Sequence, residues 1–189
     1  MMKKYRIHLL VLVVLLQTVA LAGMVAVKQR TLITGTPVLL KTEPVDPRSL
    51  FRGDYVRLNY AIGRLAYAGL EGDKDFERHD EVYVVLRKGE EFWEPVSIHH
   101  KTPAPGPDSV VIRGHVEYSG IWIDGESRGG ISIRYGIENY FVPEGEGRAL
   151  ERPAEGEEVT ILVAVDGRGD SAIKAVLVNG EVRYEEKLF

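Results

Sequence analysis

The chain has no cysteine among its 189 residues. That absence excludes a disulfide scaffold, a thiolate metal site and a cysteine nucleophile, and leaves the compartment open, because many exported bacterial proteins also lack cysteine. Tryptophan is scarce: only Trp93 and Trp122 occur, so a glycan-binding sandwich would need one of them as its exposed aromatic platform. No P-loop, dinucleotide-binding, zinc-hydrolase or EF-hand signature is present, and neither a cofactor nor a metal is expected. Base is scarce as well, outside the N-terminus. Residues 1–30 carry Lys3, Lys4, Arg6, Lys28 and Arg30 and no acid, which leaves 19 of the 24 basic residues to set against all 28 acidic ones, a net of −9 for residues 31–189. An acidic body without a basic stripe argues against nucleic acid, whose binding rests on Lys and Arg neutralising phosphates. It also disfavours a domain lying flat on an anionic bilayer.

What is present begins with a membrane signal. Met1–Arg6 is basic, and residues 7–27 follow as 21 positions without a charge, broken in apolar character only by His8, Gln17 and Thr18. About 20 apolar residues cross the hydrocarbon core as a helix. Lys3, Lys4 and Arg6 predict a cytoplasmic N-terminus with the domain outside, in the periplasm or beyond. The competing reading is a signal peptide cleaved after Ala22, at the small-residue match Ala20-Leu21-Ala22. The run continues past it through Met24, Val25 and Val27, which favours a retained single-pass anchor in the cytoplasmic membrane. The division expected is a basic tip and anchor over 1–30, then one exported domain over 31–189.

After a short linker, Gln29–Gly35, the remainder reads as strands and turns. Val38–Thr42 is the first strand. Pro44–Asp54 is a corner: Asp46 accepts nearby backbone N–H groups, Pro47 presets its own φ, and Gly53 supplies a turn. Tyr55–Tyr60 alternates, with Val56, Leu58 and Tyr60 on the apolar face. Residues 61–70 read as loop or short helix, and 71–80 as a solvated connection. Strands 81–87 and 92–99 form a hairpin, and 102–108 is a proline-rich loop. Strand 109–118, with Gly114 as a bulge, pairs with 131–135 in a second hairpin. Strands 159–166 and 172–178 are joined by Gly167–Asp170, and Asn179-Gly180 launches the last strand. Nine or ten strands with short turns and no long amphipathic helix after the anchor predict an all-β sandwich or partly open barrel.

Gly53-Asp54-Tyr55 with Leu58 and Tyr60 spells GDYxxLxY. Together with Pro44–Arg48 before it, and Arg134–Glu138 and Tyr140–Gly145 after it, this resembles the GDYXXLXY proteins, membrane-anchored bacterial proteins without an assigned activity. The resemblance covers most of the chain beyond the anchor. It implies an N-terminal anchor, an exported domain and association with multi-pass membrane proteins; it supplies no reaction and no catalytic residues.

The sites are weighed on their chemistry. Arg48 and Arg52 offer guanidinium forks for a carboxylate or phosphate, or they pair with Asp46 and Asp54 and brace the turn. Tyr55, on the face opposite Leu58 and Tyr60, is the partner contact. Arg48, Arg52, Asp54 and Tyr55, with Tyr135 and Glu144, form the expected binding surface, while Asp46, Pro47, Gly53, Leu58 and Tyr60 hold its shape. Glu138, Glu144, Glu146 and Glu151 could ligate Ca²⁺ or supply an acid and a base, against the simpler reading of a solvated acidic loop. His99 and His100 are adjacent on a strand and face opposite ways, so one metal does not easily take both. An envelope hydrolase is the rival. Signal peptidases share an anchor, an all-β domain and a Gly-Asp turn after a serine. Ser49, however, is followed by Leu50-Phe51 instead of their Met and Pro, and no lysine stands as its base. The leading expectation is a non-enzymatic module that docks on an integral-membrane or envelope partner.

Overall fold

Met2–Thr34 forms one α-helix, α1, in the computed structural model, which describes residues 2–43, 55–121, 129–142, 150 and 156–186. Its stretch from Ile7 to Thr34 is long and apolar enough to cross a membrane. The linker expected over Gln29–Gly35 is helix down to Thr34. No glycine or proline interrupts residues 24–34, and Thr34 satisfies its hydroxyl by donating to the carbonyl of Arg30 one turn back. Gly35 ends the helix, its N–H still donating to Thr31 O at 2.9 Å.

Among the described residues the rest is mostly β, curled into a half-barrel around one core. Among the described residues thirteen strands follow: β1 Thr36–Glu43, β2 Tyr55–Arg57, β3 Asn59–Tyr60, β4 Arg64–Ala66, β5 Glu71–Gly72, β6 Glu81–Lys88, β7 Trp93–His99, β8 Ser109–Ser119, β9 Gly130–Arg134, β10 Asn139–Phe141, β11 Val159–Val165, β12 Ser171–Val178 and β13 Glu181–Glu185. The excess over nine or ten comes from two- and three-residue pieces that pattern alone does not resolve. One sheet runs β13-β12-β11-β1-β3 and another β4-β9-β8-β6-β7-β5, with β2 and β10 as a separate ribbon. Pairing is antiparallel throughout except between β5 and β7. β3 reaches β4 through a single 3₁₀ turn, Ala61–Gly63. The seam between the two large sheets therefore lies directly after the motif strand.

Burial follows the alternation. Val38 and Leu40 of β1, Val82, Val84 and Leu86 of β6, and Ile161, Val163 and Val165 of β11 point inward. Asn179 and Gly180 both take positive φ, 52° and 79°, as the predicted two-residue turn requires. Two expectations need correction. Gly114 is not a bulge: it pairs with Val82 in register, and a Cβ there would lie 2.5 Å from Ile133 Cγ2 and 3.0 Å from the Tyr135 ring. The extra residue of β8 is Glu117, where the register against β9 shifts. The connection 71–80 is also pinned rather than merely solvated. Phe76 is buried and stacks on His100 with ring centroids 4.1 Å apart, and Asp73 bonds Ile98 O and His100 N through its N–H and carboxylate.

Candidate functional site

The two halves of the sequence motif meet. β2 pairs with β10, setting Arg57 opposite Asn139, Val56 opposite Tyr140 and Tyr55 opposite Phe141. At Leu58 the chain changes partner: its N–H donates to Glu138 O at 2.8 Å, and Asn59 and Tyr60 then pair with Glu43 and Thr42 of β1. The alternation expected for 55–60 holds through the switch, with Val56, Leu58 and Tyr60 buried and Arg57 and Asn59 exposed.

Two tyrosines then lock the seam reciprocally. Tyr60 Oη donates to Ile137 O at 2.7 Å, and Tyr135 Oη donates to Ile62 O at 2.8 Å. Segment 60–62 thus holds 135–137 by a bond in each direction across more than seventy residues of chain. Both phenols are buried, and that burial, followed by the charge of Glu138, raises both pKa values well above the ordinary 10.0. They act as donors at any physiological pH. Between them, Gly136 takes φ 81°, and the Glu138 carboxylate accepts the N–H groups of Tyr135 at 2.5 Å and Gly136 at 3.0 Å. Arg-Tyr-Gly-Ile-Glu is therefore a turn whose acid satisfies backbone donors, so Glu138 is spoken for as a ligand or a general base.

Outside the lock lies a polar groove of about 490 Å³. Arg57 and Asn59 of the motif strand, Arg64 of β4, Arg134 of β9 and Glu43 of β1 line it together with Glu117. The β8 bulge re-aims Glu117, which pairs with Arg134 across the β8–β9 ladder. Three arginines face three carboxylates, counting Glu138. The lining therefore carries both signs in equal number.

The expected surface residues fall unevenly. Arg48, Arg52, Asp54 and Glu144 lie outside the described residues, as do Asp46, Pro47, Ser49, Gly53, Trp122, Glu146 and Glu151. Tyr55 is placed by its backbone in β2. Tyr135 is a correction. It is 7% exposed with its hydroxyl bonded inside, so it belongs to the core and not to a docking face. Leu58 and Tyr60 are buried, on the face that the alternation assigns them. His99 and His100 take separate partners, Ser97 Oγ at 3.0 Å and Asp75 Oδ1 at 3.1 Å. Among the described residues no three His, Asp or Glu side chains gather as a metal site. Trp93 is half-buried against the core. Sequence pattern alone does not single out Arg57, Arg64, Glu43 or Glu117 as groove residues. For Arg57 a signal existed, because alternation puts it on the outward face beside Asn59; the others meet only through sheet topology.

No curated protein and no solved structure matches the chain. The family model described as GDYXXLXY protein matches residues 17–176. That range takes in part of the apolar helix, the motif strand, the Arg134–Glu138 turn and the β11–β12 pair. The chain belongs to the GDYXXLXY protein family.

Proposed function

We propose that the protein is a membrane-anchored docking module without a reaction of its own, held by α1 with its N-terminus in the cytoplasm and residues 31–189 outside. Residues 44–54 and the groove receive an extramembrane segment of an integral-membrane or envelope partner. Arg48, Arg52, Asp54, Tyr55 and Glu144 supply contacts, and Arg57, Arg64 and Arg134 supply those along the groove. The observation that carries this reading is the division of labour at the motif. Its buried phenols, Tyr60 and Tyr135, and the half-buried carboxylate of Glu138 bond to the backbone, while its exposed groups line a groove of mixed charge. A scaffold that spends its acid and phenols on holding a seam presents a surface rather than an acid–base pair.

Crosslinking and recovery from native membranes tests it, with the full chain as bait beside Arg52→Glu and Arg64→Glu. Recovery of one membrane or envelope protein by the parent, lost in both variants at unchanged folding, is the expected outcome. Undiminished recovery by both variants would remove the docking role from this face.

A further inference from the structure

The lower end of α1 is built into the domain instead of tethered to it. Residues 7–27 are exposed throughout, whereas Thr31 is only 2% exposed. Coverage begins just past the first charge, at Gln29. Lys28 Nζ donates to Ser171 O at 2.8 Å, and Thr31 Oγ1 to Asp166 Oδ2 at 3.0 Å. Gly35 leaves no slack at the exit, because a Cβ there would sit 2.5 Å from Thr31 O and 2.9 Å from Val165 N. Asp166 does double duty: its other oxygen accepts the N–H groups of Arg168 and Asp170, shaping the β11–β12 turn that the helix rests on. From the far side, Arg113 of β8 pairs with Asp170, and its N–H donates to Gly169 O at 2.8 Å. The turn Asp166–Asp170 is thus a bracket between the helix end and the six-stranded sheet.

The uncovered apolar stretch, 21 residues at about 1.5 Å each, is roughly 32 Å long, which matches a hydrocarbon core of about 30 Å. Lys28 then falls at the bilayer boundary with the bracket beside it. We infer that the β11–β12 turn is a lipid-facing foot, seated in the headgroup layer, with the exposed guanidinium of Arg168 on phospholipid phosphates. A guanidinium fork fits a phosphate. The two acids of the turn are turned to other work, Asp166 on Thr31 and backbone N–H groups, Asp170 on Arg113. The acidity of the remaining domain keeps the rest of it off an anionic surface, so the body stands on this foot and does not lie flat.

This inference rests on the anchored reading above, and the test separates the two. With no native cysteine, single labels report cleanly. Gly167→Cys places a fluorophore on the turn, where nothing lies within 4 Å of an added Cβ. Glu181→Cys places one at the opposite end of β12. The full chain is inserted in phosphatidylcholine–phosphatidylglycerol vesicles that carry a headgroup quencher, and carbonate resistance is scored first. The expected result is a carbonate-resistant chain whose residue-167 label loses most of its emission while the residue-181 label loses little. Adding Arg168→Glu should recover much of the emission at 167. Equal quenching at 167 and 181 in resistant protein would overturn the foot and leave the anchor standing. Strong quenching at 167 that ignores Arg168→Glu would overturn the phosphate contact. Extraction by carbonate would overturn the anchor and the foot together.

Discussion

Replacing Tyr60 by phenylalanine removes one oxygen and keeps the ring, and so isolates the lock at the seam. In the folded chain that oxygen is the 2.7 Å donor to Ile137 O, and Ile137 is 2% exposed. The variant leaves a buried carbonyl without this donor, at a cost of about 1–3 kcal/mol. For a chain of this size each kcal/mol lowers Tm by roughly 2–4 °C. Tyr135→Phe does the same to Ile62 O, in a residue 3% exposed, with an expected loss in the same range. The two bonds close the same pair of segments in opposite directions, so once one is gone the other holds a seam already loosened. The double variant should therefore lose less than the sum, with a coupling of about 0.5 kcal/mol or more. Thermal and urea melts of the full chain in detergent, followed by near-ultraviolet circular dichroism, measure all three. Single losses below about 0.5 kcal/mol, the range of ordinary surface changes, would refute the reading of these phenols as structural donors. Strict additivity would refute reciprocity and leave two independent bonds.

Other expectations follow from the same geometry. Gly114→Ala forces a methyl against Ile133 Cγ2 and the Tyr135 ring, and should cost about 1–3 kcal/mol by overpacking; a neutral melt would mean β8 and β9 separate freely there. Alkaline titration should split the nine tyrosines. Tyr60 and Tyr135 have folded pKa values raised above the unfolded 10.0, so their stabilisation is complete below pH 10 and is lost as pH rises past it toward the folded values. Phenolate absorbance should show a late fraction that appears only with unfolding and is absent from the double Phe variant; one transition near pH 10 with the fold intact would contradict their burial.

Most of the fold was legible because it rests on period-2 alternation and turn chemistry. The pairs β6–β7 and β11–β12 and the Asn179-Gly180 turn are each local, and each follows from a few adjacent residues. What escaped was non-local. Gln29–Thr34 holds no helix breaker, yet nothing local shows that this end is docked, because Asp166, which holds Thr31, lies more than a hundred residues on. Phe76 sits in a polar run, and only the His100 ring and the β7 edge reveal why it is inside. The site shows the same limit. Alternation places Leu58 and Tyr60 inward, and it puts Tyr135 inward too, on the face of Ile131 and Ile133 opposite Ser132 and Arg134, against its expectation as a surface residue; what no local pattern marks is its hydrogen-bond partner. Its partner, Ile62 O, lies 73 residues earlier. The groove is a product of topology alone, assembled from β1, the motif strand, β4, β8 and β9.

The architecture also bears on what a partner at the corner must look like. β1 starts at Thr36, one residue beyond the turn that ends α1, and delivers the chain to Glu43, seven steps along. At about 3.3 Å per residue that is roughly 23 Å. Its register sets Thr36 against Val165, next to the foot, and Glu43 against Asn59, in the groove. The foot and the groove therefore occupy opposite ends of the strand, and the joint at Lys28, Thr31 and Gly35 transmits the direction of α1 to it without slack. On the proposed reading, a helix confined to the bilayer would pass beneath the groove. The partner must send a loop or domain some 20 Å beyond the headgroups, by the same strand rise, and offer charges of both signs there. Inserting flexible glycines between Thr34 and Gly35 together with Lys28→Ala and Thr31→Val, which removes the two side-chain bonds of the joint, would leave the hydrophobic anchor and the groove chemically intact while freeing their relative orientation. If docking depends on presentation at that height, recovery of the partner should fall in the insertion variant although its melt is unchanged. Unchanged recovery would mean that the groove chemistry suffices by itself and the rigid joint serves only the foot.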